Sequence, residues 1–144
     1  MNIAKTRLES RLEILVRPWL KSHFGLEFLR RNLPVKAEHQ KDYAIHLYGY
    51  RREGWKSSPH FFAINCIPRK VTKKDFINLN KALVAIHNAT IEGYQDWCVD
   101  YAMIISDVGF TDKAVKLANE KGFGAYLKTT STVTELSVPS QLYY

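Results

Sequence analysis

The sequence is poor in the residues that would place it in a specialised class. Two cysteines, Cys66 and Cys98, in 144 residues are too few for a disulfide-stapled scaffold; they read as reduced, buried thiols of a cytoplasmic protein. With only 5 prolines and 7 glycines, collagen-like and low-complexity chains are excluded. Charges interrupt the sequence every few residues, so no apolar run approaches the ~18 residues of a membrane span. The opening Met-Asn-Ile-Ala-Lys leads into a charged amphipathic stretch with no apolar signal core, so no export signal is expected. A glycine-rich phosphate loop, a zinc-spaced Cys/His set and a nucleophile elbow are all missing. No repeat or compositional break divides the chain. The expectation is a single domain over 1–128 with a C-terminal tail, 129–144, that is loosely ordered or added at a sheet edge.

What is present is basic charge, unevenly placed. The net charge is +7, with +10 over residues 1–81 and −3 over 82–144. A polarised basic half is the electrostatic footprint of a polyanion binder. The candidate contacts are Arg30, Arg31, Arg51, Arg52, Lys56, Arg69, Lys70, Lys73 and Lys74. Tyr50 and Trp55 beside Arg51, Arg52 and Lys56 are the aromatics best placed to touch a nucleic acid. The wider set, which adds Tyr43, Tyr48, Phe61 and Phe62, reads first as core and hairpin packing.

Hydrophobic spacing gives the order of elements. Leu8, Leu12, Leu15, Val16, Trp19, Leu20 and Phe24 recur every three or four residues, predicting an amphipathic helix over 5–24 that stops at Gly25. Pro18 inside it costs roughly 3 kcal/mol, so a kink or break is expected near Arg17. Strands are predicted over 27–37, 43–50 (YAIHLYGY) and 60–67 (HFFAINCI), the last two joined as a hairpin by a polar turn. Thr72 caps a long helix that buries Phe76, Leu79, Leu83 and Ile86. A strand over 97–106, a helix over 112–121 between Thr111 and Gly122, and a strand over 123–127 follow. The result is an α/β sandwich around a mixed sheet, antiparallel in its hairpin and right-handed parallel in its later crossover.

This order, with DYAMIISDVGFTDKAVKLANEKGFGAYL at 100–127 and YAIHLYGY followed by FFAINCIPRKVTKKDF, resembles the restriction-endonuclease-like PD-(D/E)XK nuclease superfamily. Mrr-like restriction enzymes and Holliday-junction resolvases belong to that group. The resemblance covers about residues 5–128 and implies an α-β-β-β-α-β-α-β core. It also implies a phosphodiester-cleaving ancestry that depends on Mg²⁺ held by hard carboxylate oxygens. Placed residue by residue, His46 stands at the position of the second-strand Asp. Asn65 takes the place of the third-strand acid, and Ile67 that of the Lys two residues on. Glu9 or Glu13 matches the acid of the first helix.

Imidazole and amide do not offset a divalent charge as two carboxylates do, so the resemblance implies a degenerate site and no expected cofactor. The expected function is nucleic-acid binding, most simply to DNA and without a membrane, with a homodimer among the arrangements the superfamily uses. The alternative is an active Mg²⁺-dependent endonuclease with relocated groups: Glu9 or Glu13 and Asp42 on the metal, Lys70 or Arg69 for the missing Lys. A second alternative is a non-enzymatic interaction subunit. The plainer readings of His46 and Asn65 are a hydrogen-bonded, half-buried histidine and an amide bonded to its neighbours. Cys66 and Cys98, both placed in apolar strands, read as inert thiols.

Overall fold

A computed structural model describes residues 7–34, 44–52, 59–93 and 98–142 of the chain. Its elements run α1 (Arg7–Phe24), β1 (Glu27–Pro34), β2 (Ala44–Arg51), β3 (His60–Cys66), α2 (Lys73–Ile91), β4 (Tyr101–Ser106), α3 (Asp112–Lys121), β5 (Gly124–Lys128) and β6 (Val133–Ser137). The six strands form one sheet in sequence order. β1, β2 and β3 are antiparallel. β4 lies parallel to β3, and β5 parallel to β4, each after a helical crossover. This is the α/β sandwich around a mixed sheet that the sequence pattern predicts, with the element order that the resemblance implies.

The centre of the sheet explains the layering. Ala102, Met103, Ile104, Ile105 and Ser106 of β4 are all fully buried, so both faces of that strand need a cover, as in other parallel sheets. On one face α1 packs Leu12, Val16 and Leu20 against Leu47, Phe62, Ile64, Cys66, Met103 and Ile105. On the other, α2 and α3 bring Phe76, Leu79, Leu83, Ile86, Ala114 and Ala118 to Ala63, Ala102, Ile104 and Ala125. Alternation along β3 sends Phe62, Ile64 and Cys66 toward α1 and Ala63, Asn65 and Ile67 toward α2.

Two local expectations need correction, and the tail takes the second of its two expected forms. α1 runs through Pro18 without a break. The carbonyl that loses its donor belongs to Ile14, which is 71% exposed, so water can satisfy it. The strand expected from residue 97 begins only at Tyr101, because the Asp100 carboxylate accepts from the Phe61 N–H at 2.9 Å and sets the entry to β4. The 129–144 tail is an edge addition: β6 pairs antiparallel with β5. It is tied down by Ser137 Oγ donating to the Phe123 carbonyl at 2.7 Å and Leu142 N–H donating to the Asp100 carbonyl at 2.8 Å. Beneath the same segment, burial and the neighbouring Glu135 carboxylate push the Tyr126 hydroxyl far above its ordinary value.

Gly122 ends α3 at φ +74°, with its N–H bonded to the Ala118 carbonyl. A Cβ there would also collide with the Ser140 hydroxyl of the returning tail. Gly122→Ala should therefore lower stability by about 1–3 kcal/mol, read as a fall in the urea midpoint at unchanged slope; an unshifted midpoint would mean the tail is not held at this turn.

Candidate functional site

The regular β2–β3 ladder ends at the pair Leu47↔Ile64. Continuing it would place Ile45 opposite Cys66 and give the Cys66 N–H to the Ile45 carbonyl. Instead that N–H donates to His46 Nδ1 at 3.0 Å, and the His46 N–H donates to Asn65 Oδ1 at 3.0 Å. Side chains thus replace backbone partners where the two strands leave their register. Accepting a backbone N–H at Nδ1 fixes the imidazole as the tautomer protonated on Nε2.

Beyond the ladder, the segment after β3 is laid beside the segment after β4. Val71 forms a parallel bridge with Phe110, its N–H donating to the Gly109 carbonyl and its carbonyl accepting from Thr111 N–H, both at 2.9 Å. The buried Ser106 hydroxyl joins the two segments. It donates to the Arg69 carbonyl at 2.9 Å and accepts from the N–H groups of Val108 and Gly109. Because Thr72 and Thr111 then stand side by side as caps, α2 and α3 begin together. Their early lysines, Lys73, Lys113 and Lys116, line an open recess of about 310 Å³ with Leu117 and Glu120. Lys70 and Lys74 are exposed on the same segment as Lys73.

Arg69 is the most constrained cation here. It makes a two-pronged pair with Asp75, Nη1 to Oδ2 at 2.8 Å and Nη2 to Oδ1 at 2.6 Å. Its side chain is 60% exposed and that of Asp75 only 9%. The Asp75 carboxylate also accepts from Thr72 N–H at 2.8 Å, closing the first turn of α2. The hydrogen bonds to Asp75 push the Arg69 guanidinium above its ordinary value against the effect of burial, and the charges of Asp75 and Glu9 add to them. For Asp75, burial works upward, but the bonds from Arg69 and Thr72 outweigh it and hold the carboxyl below its usual value.

Among the described basic candidates, Arg51 and Arg52 stand apart from Arg69, Lys70, Lys73 and Lys74. Arg51 is half-buried, its guanidinium 5.2 Å from the Phe62 ring centre and 5.7 Å from that of Tyr101, while Arg52 lies over Tyr50. Both sit opposite the start of β3, one strand length, about 20 Å, from Arg69 and Lys70 past its end. Arg30 and Arg31 lie in β1 in register with Tyr48 and Leu47. Asp42, Lys56, Tyr43 and Trp55 lie outside the described residues.

The acids are divided too. Glu13, 1% exposed, is on the helix that covers the Cys66 face of the sheet, whereas Asn65 shares the opposite face with Ala63 and Ile67. Glu9 is close enough for its charge to act on Arg69. Among the described residues no three His, Cys, Asp or Glu side chains converge as a metal-binding group. Lys113 and Lys116 were hidden in the sequence by the acidic balance of the C-terminal half. Their spacing of three behind the Thr111 cap is the signal that could have found them.

The architecture is a mixed α/β sandwich consistent with the restriction-endonuclease-like fold. No family model matches the sequence, and no curated protein matches it. Among solved structures, a protein of unknown function from Silicibacter pomeroyi superposes with a TM-score of 0.51 at 16% identity, over 97% of this chain and 77% of that one. A repair endonuclease from Pyrococcus abyssi superposes with a TM-score of 0.50 at 13% identity, over 92% of this chain. This chain spans 50% of that endonuclease. At such identities the likeness is one of fold, and the fold is nuclease-like.

Asp75→Asn should cost about 1–2 kcal/mol at pH 7, through the weakened cap and the lost ion pair. Because the folded carboxyl lies below its unfolded value of about 3.9, its contribution is complete above that value and lost as pH falls through the folded one. The difference in urea unfolding between the two proteins should accordingly begin to shrink below about pH 4 and vanish only below the folded carboxyl's own lower value; a difference that stays constant as the pH falls would contradict the ion pair. His46→Leu removes the acceptor of the Cys66 N–H and should cost about 1–3 kcal/mol; amide exchange at Cys66 should accelerate with it.

Proposed function

We propose that this protein binds nucleic acid, DNA foremost, through backbone phosphates, and that the catalytic position of the nuclease fold has become structural. The observation that carries this reading is the pair of bonds at the end of the hairpin. His46 Nδ1 and Asn65 Oδ1 accept backbone N–H groups at the positions where the resembled nucleases keep carboxylates. A neutral imidazole and a neutral amide engaged in this way do not fit Mg²⁺, which takes anionic oxygens in near-octahedral order. Ile67, in place of the Lys, packs against the α2-side core. The donor set therefore does not fit the metal that the fold's chemistry uses.

The lysine recess supports the binding half of the proposal. Lys73, Lys113 and Lys116 face one opening, with Lys70 and Lys74 exposed nearby. Lysines act on phosphate as point charges without geometric selectivity, so the expected binding is weakly sequence-dependent. Arg69 contributes less than its charge implies, since Asp75 already takes both prongs. The repair endonuclease from Pyrococcus abyssi, similar in fold, supports the nucleic-acid class of partner.

Fluorescence anisotropy on duplex and single-stranded DNA tests this reading. The logarithm of the binding constant should fall linearly with the logarithm of salt concentration, at about −0.9 per phosphate neutralised on duplex. A slope near −3 is expected, and each of Lys73→Ala, Lys113→Ala and Lys116→Ala should reduce its magnitude by about 1. No binding at about 50 mM salt would overturn the proposal in favour of an interaction subunit. Incubation with Mg²⁺ or Mn²⁺ addresses the other half: cleavage that disappears in Asp42→Ala would establish a relocated site. Glu9, whose charge reaches Arg69, is the acid that favours that second reading.

A further inference from the structure

Cys98 and His87 form a pair that neither the fold nor the nucleic-acid surface requires. His87 lies near the end of α2, fourteen residues or about 21 Å along the helix from Lys73, well away from the lysine recess. Cys98 precedes β4 in irregular backbone, not in the apolar strand expected from the sequence. Its Sγ is 3.6 Å from His87 Nδ1, and both residues are partly exposed. Cys66 provides the contrast: it is 0% exposed inside β3, packed in the α1-side core.

The structure places an imidazole nitrogen against a partly exposed thiol. A thiol attacks only as its thiolate, and a neighbouring imidazole that takes the proton is the usual means of activation. We propose that Cys98 is a site of reversible covalent modification by low-molecular-weight disulfides, with His87 as its proton acceptor. The thiol proton passes to His87 Nδ1 as Cys98 Sγ attacks one sulfur of the disulfide R–S–S–R. A Cys98–S–S–R bond forms, the original S–S bond breaks, and its electron pair leaves on RS⁻, which takes up a proton to give RSH. Cys98 is oxidised to the disulfide level, and one half of the reagent is reduced to thiol. A second thiol reverses the step by the same exchange.

Thiol labelling of the full chain, followed by intact mass and peptide mapping, tests the pair. Oxidised glutathione and an aromatic disulfide are the probes. One equivalent should add to the native protein, at Cys98 and not at Cys66, several-fold faster than to the same thiol in the urea-unfolded chain. His87→Gln should bring the native rate down to the unfolded rate or below it. A merely structural histidine would act in the opposite sense, since its replacement would loosen the contact and speed labelling. Cys66 serves as the folding control: it stays unlabelled as long as the variant is folded, and Asn at position 87 provides a second variant if Gln unfolds the chain. Equal labelling of both cysteines, a native rate below the unfolded one, or a rate unchanged in folded His87→Gln would overturn the proposal.

Discussion

The complete burial of β4 is the constraint from which the rest of this protein follows. A strand with no exposed residue from Ala102 to Ser106 must have neighbours on both edges and helices on both faces, because its backbone groups and side chains have no access to water. β3 and β5 fill the edges in parallel, and parallel neighbours demand crossovers. The crossovers are α2 and α3, which share one face, leaving the other to α1. Ser106, the polar residue at the buried end of the strand, directs its hydroxyl into the two segments that leave the sheet there. The lysines are adjacent because those segments are adjacent.

At the same end of the sheet, side chains of the β2–β3 hairpin take over the work of backbone acceptors. Two strands that leave their register expose N–H groups, and an unsatisfied buried N–H costs about 1–3 kcal/mol. His46 and Asn65 each provide a short-range acceptor for one such group. An acceptor atom engaged by a backbone N–H has less to offer a cation, so satisfying the strand ends and holding a divalent ion compete for the same atoms. The stability of the nuclease-like fold lies in its buried apolar faces.

Charge is similarly divided between holding the fold and facing outward. Arg69 and Asp75 close the first turn of α2 with a two-pronged pair, and Arg51 rests on aromatic rings at the far end of the sheet. These guanidinium groups read in sequence like the lysines around them. Their planar heads are already engaged, by a carboxylate or by ring faces, whereas the lysine ammonium groups at 70, 73, 74, 113 and 116 stand on exposed stems. The net charge of the chain is therefore a poor guide to where a polyanion would rest.

The sequence by itself determined the element order, the caps at Thr72, Thr111 and Gly122, and the two faces of β3. Each of these is fixed by contacts within a few residues: a 3.6-residue or two-residue period, a hydroxyl before a helix, a glycine at positive φ. Placing His46 opposite Asn65 also needed only the register of one hairpin. Tertiary structure alone decided that Glu13 and Asn65 face opposite sides of the sheet, that Lys113 and Lys116 meet Lys73, and that Cys98 meets His87. It also chose between the two forms expected of the C-terminal segment, making it an edge strand. The three side-chain relations join residues 11 to 52 positions apart in the chain, and they depend on how helices cross a sheet, which local periodicity does not encode.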